Sequence, residues 1–109
     1  MKFTVSQSAL QTALDIVSKG IGSNTTLPIL SGIYFKAFNG MLELQSSDLT
    51  ISIKHRIAAN VEEEGETVVS GKVIQNIVKN LPDAAITFEG GERTLSVTCQ
   101  RSSFRLNTL

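Results

Sequence analysis

The feature that most constrains this chain is that it repeats itself. Shifted by 64 residues, Val5, Ser6, Ala9, Leu10, Gln11, Ala13 and Leu14 meet Val69, Ser70, Val73, Ile74, Gln75, Ile77 and Val78. Each set joins the end of an apolar stretch, a hydroxyl residue and an amphipathic run, the pattern of a strand entering a capped helix. Two amphipathic helices can match by chance, but the order of the elements around them agrees as well. Each half reads strand, helix, strand, strand, strand, and the first carries a longer connection from Gly20 to Leu30. Doubled, such a unit places both helices on one face of a β layer. The expected class is α+β with antiparallel sheets, in one domain, because 109 residues support one core and not two.

The first helix is expected from about Gln7 to Lys19, with Leu10, Ala13, Leu14 and Val17 on its apolar face. Ser6 or Ser8 supplies the cap oxygen, and Gly20 and Gly22 follow where a helix stops. The second is expected from about Lys72 to Asn80, capped by Ser70 and stopped by Pro82, with Val73, Ile74, Ile77 and Val78 apolar. Period-two stretches mark strands at 2–5, 33–37, 41–46, 51–57, 67–69, 85–89, 94–99 and 103–107. Asn39-Gly40 is a type I′ hairpin signal, since both central positions need positive φ, and Gly90-Gly91-Glu92-Arg93 marks a later hairpin. The acidic run from Glu62 to Glu66 reads as a solvated loop between the halves.

Catalysis finds no support in these residues. The one histidine, His55, shares strand parity with Ile51, Ile53 and Ile57 and reads as a packed residue. The one cysteine, Cys99, falls in step with Leu95 and Val97 and reads as a small core residue, which suits a reducing cytoplasm. No histidine or cysteine cluster has metal-ligand spacing, and the glycine pairs lack a P-loop lysine or dinucleotide fingerprint. No cofactor, metal or membrane partner is therefore expected. Basic and acidic residues balance at ten each, so a nucleic-acid partner requires positive charge gathered on one surface.

The ordered landmarks resemble a known family. Met1-Lys2-Phe3-Thr4-Val5 is similar to the start of the bacterial DNA polymerase III β subunit, the sliding clamp. Thr26-Leu27-Pro28-Ile29-Leu30-Ser31-Gly32, Ser47-Asp48-Leu49, Lys79-Asn80-Leu81-Pro82 and the final run Arg101 to Leu109 resemble that family's first domain in turn. The resemblance implies the DNA clamp fold, two β-α-β-β-β repeats, with the chain ending slightly before this domain hands over to the second. It implies a processivity factor in DNA replication, not an enzyme: a head-to-tail homodimer ring encircling double-stranded DNA without reading sequence. The polymerase III catalytic subunit and the clamp loader would bind through later domains, so no peptide-site residues are carried over. The alternative is a free-standing interaction module that binds through an edge strand, which explains neither the repeat nor the ordered landmarks.

In the family the helices line the hole, which assigns DNA contacts to Lys72, Gln75, Asn76 and Lys79 on the second helix. Lys19 at the end of the first helix and Ser23 and Asn24 in the following loop join them. From the residues alone, a solvated helix face is the better reading of these lysines, and the resemblance reverses that balance. Asn24 stands where the family often has arginine, and Asp15 dilutes the positive face. The last strand is the implied subunit joint, with Arg101, Ser103, Phe104, Arg105 and Leu106, and with Lys72 and Val73 nearby. Phe104 and Leu106 fit the domain's own core as readily as a joint.

Overall fold

The computed structural model describes residues 1–21, 31–48 and 50–109. Ser23, Asn24, the Leu27-Pro28 bond and Leu49 lie outside the described residues. The first half runs β1 (Lys2–Ser6), α1 (Gln7–Val17), β2 (Gly32–Phe38), β3 (Met41–Ser47) and β4 (Ser52–Ala58). A linking strand β5 (Asn60–Glu63) follows. The second half runs β6 (Gly65–Ser70), α2 (Gly71–Lys79), β7 (Ala85–Gly90), β8 (Thr94–Cys99) and β9 (Ser102–Asn107).

The repeat is visible in the caps. Ser6 Oγ accepts from the Ala9 amide at 3.2 Å, and Ser70 Oγ accepts from the Val73 amide at 3.3 Å. Ser6, not Ser8, is therefore the cap of α1. The halves are interlocked, because the sheet orders are β5-β1-β7-β8-β9 and β4-β3-β2-β6, antiparallel throughout. Each half thus lends its first strand to the other half's sheet. Val5 pairs with Ile86 and Val69 with Ile33, and all four are buried.

The inner faces of the two sheets meet over aromatic rings. Phe88 stacks on Phe3 with centroids 4.8 Å apart and meets Phe35 edge-on at 6.0 Å. The helices fit against the four-stranded sheet, α1 over β4 and β3, and α2 over β6 and β2. They run in opposite directions. Gln7 Nε2 at the start of α1 donates to the Val78 carbonyl at 2.9 Å, and Ile21 beyond its end lies against Gly71 at the start of α2.

Several expectations change. The first helix ends at Val17, and Ser18–Gly20 is a single 3₁₀ turn that carries Lys19. Ser18 Oγ donates back to the Asp15 carbonyl at 3.0 Å, which tightens the turn. Gly20 is needed there, since a Cβ would stand 2.6 Å from Ser46 Oγ, whose hydroxyl donates to the Val17 carbonyl. The acidic run is not a loop: Asn60–Glu63 pairs with β1, and Gly65 already belongs to β6. Its carboxylates stay solvated while Glu63 meets the Met1 ammonium at 2.6 Å and Glu62 meets Lys2 at 3.4 Å.

Ile51 is not on the packed side of β4 but 47% exposed. Asp48 Oδ1 accepts from the Thr50 and Ile51 amides, both at 2.7 Å, and this turn takes Ile51 out of the ladder. The same bonds hold the Asp48 carboxyl below the usual carboxylate range. Asn39 (φ 48°) and Gly40 (φ 71°) form the expected positive-φ hairpin. The turn after Gly90 does without positive φ, whereas Gln100 (φ 51°) provides it between β8 and β9. Cys99 is buried, and His55 is half-buried on the inner side of β4.

Two outcomes test this packing. Phe88→Ala removes the ring shared by both sheets and is expected to cost about 3–5 kcal/mol of stability, read from the urea midpoint. On the outer face, Tyr34 donates to Glu66 Oε2 at 2.7 Å. That bond, then slight burial and the charges of Glu66 and Glu43, pushes its hydroxyl up to about 12. A raised folded pKa contributes stability that is whole below the ordinary value near 10 and is lost as pH rises through 12. Tyr34 is the only tyrosine and there is no tryptophan, so ultraviolet absorbance follows its ionisation alone. Glu66→Gln is expected to move that titration down toward the ordinary value.

Candidate nucleic-acid interface

The polar face of α2 is set by its buried stripe. Gly71, Ile74 and Val78 point inward, which leaves Lys72, Gln75, Asn76 and Lys79 together on the other side at helical spacing. Asn80 Nδ2 donates to the Asn76 carbonyl at 2.8 Å and closes the helix end beside Lys79. Across from this face, Gln11, Asp15, Ser18 and Ile21 complete a groove of about 830 Å³ between the helices. Gln11 Nε2 donates to Asp15 Oδ1 at 3.1 Å, so the one carboxylate of the groove is held in place by its own helix.

Chemically the groove offers two ammonium groups, three carboxamides and a hydroxyl to whatever lies across the helix pair. That set suits phosphate and sugar oxygens, which are read by donors alone. Among the described residues, no group of three or more histidines, cysteines, aspartates or glutamates stands close enough to hold a metal ion. No helix there is long and apolar enough to cross a membrane.

A second surface lies along β9, an edge strand hydrogen-bonded only to β8. Ser103 and Arg105 are exposed on its outer side, and Arg101 is exposed in the turn before it. Phe104 and Leu106 share the inner side, opposite Val97 and Leu95. Leu106 is 8% exposed and belongs to the core, whereas Phe104 remains 40% exposed. Val73 is 44% exposed, which corrects its expected place on the packed stripe of α2. The shorter helix buries only a narrow line of residues.

The family model of the DNA polymerase III beta subunit, N-terminal domain, matches residues 1–109. The chain belongs to this family. It is 35% identical over 109 residues to the beta sliding clamp of Micrococcus luteus, covering 100% of this chain and 35% of that protein. It is 37% identical over 113 residues to the beta sliding clamp of Escherichia coli strain K12, covering 100% of this chain and 30% of that one. Among solved structures, the Helicobacter pylori beta clamp bound to a DNA ligase peptide superposes with a TM-score of 0.95 at 28% identity, covering all of this chain and 31% of that one. Caulobacter crescentus pol III beta gives 0.95 at 30% identity, covering all of this chain and 30% of that one. The chain therefore spans about a third of the length of these β-clamp relatives.

Of the residues that sequence reasoning assigned to DNA, the fold of this β-clamp domain brings Lys72, Gln75, Asn76 and Lys79 into one groove. Lys19 is exposed on the adjacent turn but does not line it. Gln11, Ser18 and Ile21 line the groove without having been singled out. The signal for Gln11 was present, since the 64-residue offset makes it the counterpart of Gln75. The different burial of the two inward residues of β9 predicts a contrast in stability. Leu106→Ala is expected to cost about 2–4 kcal/mol. Phe104→Ala is expected to cost about 1 kcal/mol or less. Chemical denaturation of the two variants measures the difference directly.

Proposed function

We propose that residues 1–109 are the first domain of a sliding clamp, a non-catalytic cytoplasmic ring that encircles duplex DNA and tethers the replicative polymerase. The observation that carries this reading is membership of the β-clamp family along the whole chain, at matching fold. The groove supports it. Lys72 and Lys79, with Gln75, Asn76 and Gln11, present donors to a phosphate backbone and none of the geometry needed to read bases. Two lysine–phosphate contacts correspond to a slope of only about −1.8 in log affinity against log salt. Retention on DNA then comes from closure of the ring, and the isolated domain hardly binds.

The joint would lie along β9. Its free edge offers backbone donors and acceptors to a neighbouring subunit. Phe104 supplies exposed apolar surface on β9, flanked along the chain by the exposed Arg101, Ser103 and Arg105. The exposed Lys72 and Val73 of α2 are assigned to the same joint by the family resemblance. Leu106 supports this surface from the core side. Two subunits joined head to tail through first and third domains close a dimeric ring. The polymerase III catalytic subunit and the clamp loader are assigned to the domains beyond Leu109.

The test is retention of the full-length protein, loaded by its cognate loader, on nicked circular DNA before and after linearisation. Persistence on the circle with rapid loss from the linear form is expected. Equal retention on both would replace the ring with an ordinary affinity-based DNA-binding module.

A further inference from the structure

The repeat offers an inference about the groove that its donor content alone does not. At the 64-residue offset the position equivalent to Lys79 is Asp15, and both side chains line the same groove. The glutamines at the preceding equivalent positions, Gln11 and Gln75, line it as well. One equivalent pair in the groove is thus kept as glutamine on both helices, and the next is inverted in charge. Asp15 is not neutralised by ion pairing: among the described residues, no ion pair within 4.0 Å joins it to Lys72 or Lys79. Its carboxylate is instead fixed by the Gln11 amide at 3.1 Å. A fixed exposed anion beside two cations repels any polyanion that the cations attract.

We infer that Asp15 is an electrostatic counterweight that holds the groove's affinity for duplex DNA low, so that the bound backbone moves past the helix pair without being caught. The inference rests on the groove being the duplex-facing surface. Lys72 and Lys79 provide attraction on α2, Asp15 opposes it on α1, and the net charge of the groove is one positive unit from these three side chains. A lysine at position 15 would match Lys79 across the groove and convert a sliding surface into a gripping one.

The experiment is equilibrium binding of the full-length protein to duplex DNA over a range of salt concentrations, for the parent and five variants. Asp15→Asn is expected to bind more tightly and to steepen the slope of log affinity against log salt by up to about 0.9. This corresponds to an advantage about 3-fold larger at 50 mM than at 200 mM salt. Asp15→Lys is expected to go further in the same direction. Asp83→Asn removes an exposed carboxylate outside the groove and is expected to leave the slope unchanged. If Lys72→Ala and Lys79→Ala flatten the slope while Asp15→Asn and Asp15→Lys do not alter it, the groove stands and the counterweight is refuted. If Asp83→Asn acts as strongly as Asp15→Asn, net charge is the cause and the assignment to Asp15 is wrong. If neither lysine variant nor either Asp15 variant changes the slope, the duplex does not lie on the groove and both readings fall.

Discussion

Everything in this domain hangs on the exchange of first strands between its halves. β1 lies in the sheet built by the second half, and β6 lies in the sheet built by the first. Neither sheet is complete without a strand from the other half. The helix that follows each exchanged strand therefore starts at the seam, where its serine cap fixes the direction of departure. Because the two departures are related by the repeat, the helices come out side by side and opposed, with Gln7 bonded to the end of α2. The groove between them is a consequence of that exchange, and so is the burial of Phe3 against Phe88, which couples β1 to the sheet it has joined.

This arrangement decides which side chains face outward together. A helix pair resting on a sheet shows the remaining polar side of each helix, and α2 gathers four such residues because its buried line is so narrow. The outer face of the four-stranded sheet is handled differently. There Glu43 is buried to 5% exposure beneath Arg56, whose Nε donates to it at 2.8 Å, and Lys36 lies over the Phe38 ring at 4.9 Å. There Arg56 is tied to a carboxylate and Lys36 to a ring, while Lys72 and Lys79 have no ion-pair partner among the described residues. Cations left without local partners are available to a polyanion.

Much of this was legible in the sequence because it is local. A serine before an amphipathic run, an Asn-Gly pair and alternation within a strand each act over a few residues, and the repeat gave them a second, independent instance. What escaped is non-local. The Asn60–Glu63 stretch looks like a solvated loop, since its side chains are mostly acidic, yet its backbone finds β1 nearly sixty positions earlier. Phe104 and Leu106 share one parity, and their different burial depends on what each meets across the core, which alternation does not encode. Ile51 left its expected side because a single Asp48 carboxylate captured the neighbouring amides. The groove residues on α2 were readable from one helix; those on α1 needed the knowledge that the two helices lie together.

The repeat also shows where the two halves have been put to different uses. Equivalent inner positions keep their character: Val5 and Val69, Leu10 and Ile74, and Leu14 and Val78 are all buried. Equivalent outer positions diverge. Ser8 corresponds to Lys72, Ala9 to Val73 and Asp15 to Lys79. Packing forbids the inner positions to differ much in size or polarity, because both halves must fit one shared core. The outer positions carry no such constraint, so differences there reflect what each half meets. At these helix positions the second half carries two lysines and an exposed valine, and the first half carries small or acidic residues. A domain that is nearly symmetric in its frame therefore presents one helix with two lysines, one helix with a single carboxylate and an edge strand with an exposed phenylalanine.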